Sequence, residues 1–233
     1  MTGARTSALP STLPHAPVIV TDGEAIVLDL SRGARLRGRP VEGLDVAALS
    51  ALINEEMQAK GTGFAFGRYL EPRGLYANEH FAAHGAEART VHLGIDVFCD
   101  AGTAVFAPLD GTVAVVANND RELDYGPLLI LEHASADIFT LYGHLGPEVL
   151  SNLAPGAAVA SGTAIATVGA PPGNGNWPPH LHFQAIRDLA GLGSEFPGVA
   201  APGEIDRWAA LSPSPARFFP EIDPVLLEYR ACS

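Results

Sequence analysis

Three short segments of this chain alternate apolar and polar side chains with a period of two, and that alternation constrains the fold more than any other feature. In Thr90-Val91-His92-Leu93-Gly94-Ile95-Asp96-Val97-Phe98, one parity holds Val91, Leu93, Ile95 and Val97, and the other holds His92, Gly94, Asp96 and Phe98. Successive side chains of a strand point to opposite faces. A strand here therefore has one apolar face and one that offers an imidazole and a carboxylate, with room between them at Gly94. Gly94 also disfavours the helical alternative. Pro179-His180-Leu181-His182-Phe183 repeats the device, with His180 and His182 on one face and Leu181 and Phe183 on the other. In Ile138-Phe139-Thr140-Leu141-Tyr142-Gly143-His144-Leu145, Tyr142 and His144 share a parity. One such strand alone reads as a surface strand with solvated polar groups. The recurrence on three segments points instead to a metal site, since histidine nitrogens plus one carboxylate make a three-ligand zinc centre with a fourth position open to water.

Around these segments, residues 90–186 fall into short alternating runs separated by Gly, Pro, Asn and Asp, the sequence form of an antiparallel β domain. Strands are expected at 90–98, 103–106, 111–117, 127–132, 137–144, 163–168 and 180–186. Ahead of them, residues 1–16 read as a flexible tail and 17–78 as a small α/β extension. In that extension Val18-Ile19-Val20 and Ile26-Val27-Leu28 flank Asp22-Gly23, a hairpin signal. A helix is expected to start at the cap Asp45, to carry Leu49, Leu52, Ile53 and Met57 on one face, and to close at Gly61. Residues 79–187 form the β domain, and 188–233 form an irregular Pro- and Gly-rich segment, with a short helix near Trp208, that wraps over the β domain or serves as a linker.

Composition narrows the partners. With 14 Lys plus Arg against 26 Asp plus Glu, the formal charge is −12 at pH 7. The chain therefore lacks the clustered cations that bind nucleic acid or an anionic membrane or cell-wall polymer. Cys99 and Cys232 lie far apart and are read as free thiols, Cys99 with its side chain in the core. No segment has the length and apolarity of a secretory signal or a membrane span, so the expected location is the cytoplasm. The oligomeric state is not legible.

The motifs resemble those of the LytM or lysostaphin-type zinc metallopeptidases, peptidase family M23. His92-x-x-x-Asp96 preceded by Arg89, Tyr142-x-His144-Leu145, and Pro179-His180-Leu181-His182-Phe183 match the family's three motifs in order, over roughly residues 79–187. The resemblance implies an antiparallel β sandwich or open barrel, Zn2+ held by His92, Asp96 and His182, His144 and His180 as catalytic histidines beside the metal, and hydrolysis of an amide by a zinc-activated water. With no Glu general base in such a site, one or both histidines must move protons or donate hydrogen bonds to the tetrahedral intermediate. Tyr142 and Trp177 are the candidate substrate-binding residues; for Trp177, packing on the sheet is an equal alternative. The approach Gly173-Asn174-Gly175-Asn176-Trp177-Pro178-Pro179 and Gln184 in place of a Glu depart from the family pattern. Together with Gly67-Arg68-Tyr69-x-Glu71-Pro72-Arg73, they are similar to M23 domains found between phosphotransferase and class III aminotransferase domains of long bacterial chains.

By this reading the substrate is a peptide or peptide-like amide. Two alternatives share the sequence: a zinc-stabilised regulatory or scaffold module without turnover, and a cytoplasmic amidase acting on a small modified amino acid. His80 and His84 have i, i+4 spacing, but Phe81 stands where a zincin needs Glu. They are expected in a surface or loop role, with occlusion of the zinc as the minor reading. His133 is expected at a strand end rather than at the metal, and His15 has no evident partner.

Overall fold

The computed structural model describes residues 14–21, 23–74 and 87–230. The strands are β1 (Ile26–Val27), β2 (Arg35–Leu36), β3 (Arg39–Pro40), β4 (Ala65–Gly67), β5 (Val91–His92), β6 (Ile95–Phe98), β7 (Ala104–Phe106), β8 (Gly111–Asn119), β9 (Gly126–His133), β10 (Ile138–Gly143), β11 (Ala158–Val159), β12 (Ala164–Thr167), β13 (His180–Ile186) and β14 (Val199–Ala200). The helices are α1 (Val46–Lys60), α2 (Val149–Asn152), α3 (Ile205–Leu211) and α4 (Pro224–Leu227). An eight-stranded sheet in the order β1-β4-β6-β13-β10-β9-β8-β11 dominates, with two-stranded pairs β7–β12, β5–β14 and β2–β3 beside it. All its pairings are antiparallel except β1 with β4, so the sheet is mixed and open rather than a closed barrel.

The central strands are buried on both faces, which explains their nearly continuous apolar runs. Along β9, Leu129 and Leu131 enter the main core with Ile95, Val97, Leu181 and Phe183, whereas Leu128 and Ile130 enter a second core with Leu93, Leu141, Phe196 and Trp208. The C-terminal segment supplies cover to both. Phe218 and Phe219 pack edge-on against Phe183 at 5.4 and 5.5 Å, and Trp208 of α3 packs on Phe196 at 5.7 Å. Cys99 lies in the main core, where burial pushes its thiol up to about 11.

Helix α1 forms as its sequence dictates. The Asp45 carboxylate accepts from the Ala48 amide at 2.8 Å, and Gly61 ends the helix in the left-handed region at φ 69°. Its buried stripe Leu49, Leu52, Ile53 and Met57 packs on Leu28, Leu36, Val41 and Phe98 in a third apolar cluster. The extension thus joins the main sheet through β1 and β4 and covers one end of β6.

Two expectations for the N-terminal residues are corrected. Val18-Ile19-Val20 makes no hairpin with Ile26-Val27; the Val18 carbonyl accepts from the Phe106 amide at 2.8 Å, and β1 pairs in parallel with β4. Each apolar run buries more against an existing sheet than a two-stranded ribbon would allow. His15 does have a partner: it bonds the Arg217 carbonyl at 3.0 Å and packs on Phe218. His133 ends β9, buried, between the Asp110 carbonyl and Thr140 Oγ1. His80, His84, Asp22 and Cys232 lie outside the described residues. Among the described residues no helix is long and apolar enough to cross a membrane.

Candidate metal centre

The centre is assembled by strand register. β13 pairs with β6 so that His182 stands opposite Asp96, and with β10 so that His182 stands opposite Gly143. His92 comes from β5, separated from β6 by the break at Leu93-Gly94. Gly94 is needed there: a Cβ at that position would lie 2.6 Å from His182 Cε1 and 2.8 Å from the Phe183 carbonyl. His144 follows the end of β10 with φ 62°, and this turn swings its ring to the His182 side of the sheet. His92, Asp96, His144, His180 and His182 are all buried.

Three atoms converge. His92 Nε2, His182 Nδ1 and Asp96 Oδ1 lie 3.0 to 3.1 Å from one another. The second nitrogen of each imidazole fixes the tautomer. His92 Nδ1 is 2.9 Å from the Arg68 carbonyl, which only accepts, so the proton is on Nδ1 and Nε2 is bare. Gln184 donates from Nε2 to the Pro197 carbonyl at 3.2 Å and to Ser212 Oγ at 2.9 Å, so its Oε1 faces His182 Nε2 at 3.0 Å and accepts that proton. His182 Nδ1 is bare in turn. Two imidazole lone pairs and a carboxylate oxygen thus face one another with no hydrogen among them, a set that repels itself unless a cation lies between. For metal–ligand distances of about 2.0 Å, tetrahedral ligands lie about 3.3 Å apart. The triangle fits, and His92, Asp96 and His182 could hold a metal ion.

Asp96 is held by a buried pair from the extension. Arg73 Nη1 donates to Asp96 Oδ2 at 2.6 Å and its Nε donates to Glu71 Oε2 at 2.9 Å, while Glu71 Oε1 accepts from the Leu30 amide at 3.1 Å. Oδ2 is occupied and Oδ1 is left for the centre. Burial alone would raise the Asp96 pKa, but electrostatic interaction with the adjacent His92 and with the Arg73 guanidinium outweighs it and holds the carboxyl well below its usual range. Burial, helped by Arg73, pushes His92 down to about 4.

His144 and His180 stand beside the triangle with ring centroids 4.4 Å apart. Each gives its Nδ1 proton to a backbone carbonyl, Asn174 at 2.9 Å and Pro178 at 2.7 Å, so a bare Nε2 is left on each ring. His180 Nε2 is 3.7 Å from Asp96 Oδ1. Burial lowers the pKa of both and keeps them neutral. A cavity of about 220 Å³ opens over the five residues. Trp177 lines it, with its ring 6.2 Å from His144 and 6.5 Å from His180. The 119–125 loop contributes Tyr125, whose ring is 5.5 Å from that of His182.

Tyr142 is not in the cavity. It stands opposite Phe183, on the other face of the sheet from His182, and its hydroxyl, fully buried, accepts from Thr140 Oγ1 at 2.9 Å. Parity linked it to His144 only as long as the strand ran straight, and the left-handed turn at His144 ends that relation. The supporting residues Glu71, Arg73 and Ser212 and the role of Gln184 were not legible. Gln184 shares the parity of His180 and His182, a signal that it faces the same side, but its partners come from distant segments.

Residues 90–191 match the family model of peptidase family M23. The motif-based recognition is thereby borne out, and the match supports a peptidase. Among solved structures similar to the chain, a zinc-containing peptidase from Vibrio cholerae is 31% identical over 46% of this chain and 31% of its own, with a TM-score of 0.35. LytU is 29% identical over 52% of this chain and 80% of its own, at 0.36. The catalytic domain of lysostaphin from Staphylococcus simulans is 22% identical over 51% and 80%, also at 0.36. The chain thus spans about a third of the first of these proteins. No curated protein matches it. The M23 segment excludes Glu71 and Arg73 on one side and Pro197 and Ser212 on the other, all of which brace its ligands.

Proposed function

We propose that this chain is a zinc-dependent metallopeptidase that hydrolyses a peptide or peptide-like amide bond. The observation that carries the reading is the convergence of two proton-free imidazole nitrogens and one carboxylate oxygen at 3.0 to 3.1 Å, flanked by two more imidazoles with bare Nε2 atoms. In this reading His92, Asp96 and His182 hold the ion. When bound there, zinc would activate a water and polarise the scissile carbonyl. His144 and His180, positioned by the Asn174 and Pro178 carbonyls, present Nε2 to accept a proton from the attacking water and, once protonated, to donate to the leaving nitrogen. Trp177 walls the substrate in.

Metal analysis of the purified chain, together with cleavage of a peptide library by wild type, His144→Ala and His180→Ala, tests this. One zinc per chain is expected in all three. The variants should lose about 10²–10⁴-fold in kcat, the usual share of proton transfer. Zinc bound with cleavage no faster than in the variants would favour the binding module without turnover.

A further inference from the structure

The extension does more than close the sheet. Leu30, Leu49, Ile53 and Phe98 belong to its apolar cluster, and all four also line the cavity above the metal centre. Leu49 and Ile53 are one turn apart on α1, so both face the cavity side of that helix. Phe98 carries the apolar wall up to the reacting groups, since its ring stacks on His180 at 5.0 Å between centroids and 24° between planes. The rest of the lining carries charge, with Arg73, Arg89 and Asp96 beside the metal centre and Arg121, Asp124 and Glu195 from the loops. The lining thus includes an apolar patch that reaches His180 through Phe98, a feature that a site for glycine-rich peptide would not need. The space is also limited. A volume of about 220 Å³ is below the ~300–1,000 Å³ of sites for drug-sized ligands. It exceeds the roughly 150 Å³ in which an apolar cavity takes a benzene-sized group.

We propose that Leu49, Ile53 and Phe98, backed by the fully buried Leu30, form the side-chain pocket of the substrate. The chain then acts on short peptides or N-acylated amino acids with one bulky apolar side chain next to the scissile amide. This rests on the hydrolase reading above and adds the substrate class. The side chain enters the recess on the His180 side, where its transfer from water favours the aligned amide.

The test pairs binding with turnover. Zinc-loaded full-length His144→Ala is titrated calorimetrically with Gly-Gly, Gly-Leu, Leu-Gly, Gly-Phe and Phe-Gly, free and N-acetylated, and with ten-residue peptides carrying the same pairs centrally. Wild type is assayed on the same set. At least one Leu or Phe compound is expected to bind roughly tenfold or more tighter than its Gly-Gly counterpart, as a pocket sensitive to single methylenes requires, and the ten-residue peptides at least tenfold more weakly. Ile53→Phe, which fills the recess, should erase the preference, and Leu49→Ala, which enlarges it, should shift it from Leu to Phe. Each variant is first shown to keep the wild-type circular dichroism and zinc content. Equal binding of Gly-Gly and the apolar compounds, a preference unchanged in both variants, or ten-residue peptides bound as tightly as the short ones would overturn the proposal. An apolar preference in binding with no cleavage by wild type would uphold the pocket and sink the hydrolase reading. Cleavage without side-chain preference would do the reverse.

Discussion

Gln184 shows how a single side chain sets the chemistry of the centre. Its carbonyl takes the Nε2 proton of His182, and its amide is itself oriented by the Pro197 carbonyl and Ser212 Oγ, which donates onward to the Ala185 carbonyl at 2.9 Å. The bare Nδ1 of His182 therefore depends on hydrogen bonds that run through Pro197 and Ser212 of the C-terminal segment. Partners of this kind typically change metal affinity by about 10–100-fold. Gln184→Leu is expected to weaken zinc by that factor in competition with a chromophoric chelator, while Gln184→Glu, which keeps an acceptor for His182, should retain wild-type affinity. Unchanged affinity in the leucine variant would mean that the amide does not hold the ring. His92 and His182 were legible as candidates for the centre because their residue types and parity are local facts. Arg73 was not, because what makes it part of the centre is a 2.6 Å contact with a residue 23 positions away.

At the scale of elements, α1 and the strands were read with small errors at their ends because their signals are periodic and capped. The helix has Asp45 and Gly61 where a start and a stop were expected, and the strand expected at 180–186 is β13 itself. The expected strand 90–98 is instead split into β5 and β6 at Gly94, where His182 needs the space. Tyr142 shows the limit of parity, which holds only while the chain stays extended. Leu52 lies at the centre of the α1 packing and is 1% exposed. Leu52→Ala should cost about 2–5 kcal/mol in urea unfolding, the usual penalty for a buried leucine. A loss below about 1 kcal/mol would show that α1 is only loosely docked.

For the whole molecule, the M23 segment is one part of a shared sheet and shared cores. His92 lies in β5, with the Glu71 carbonyl accepting from its amide at 3.0 Å and β14 of the C-terminal segment paired beside it. β4 lies against β6, and Phe196, Trp208, Phe218 and Phe219 fill both cores from beyond residue 191. Residues 90–191 expressed alone should therefore lack a cooperative thermal transition and bind a hydrophobic dye, while the full chain melts in one step; a cooperative melt of the fragment would contradict this. The sequence by itself determined the strand periodicity, the capped helix and the five histidine and aspartate residues of the centre, because residue type, parity and capping act over a few neighbouring positions. Tertiary structure alone decided which groups brace the centre, that Tyr142 faces the core, and that apolar side chains of α1 line the cavity above the centre. Those outcomes depend on which distant segments pack together, and that is settled by burying the apolar faces of the whole chain at once.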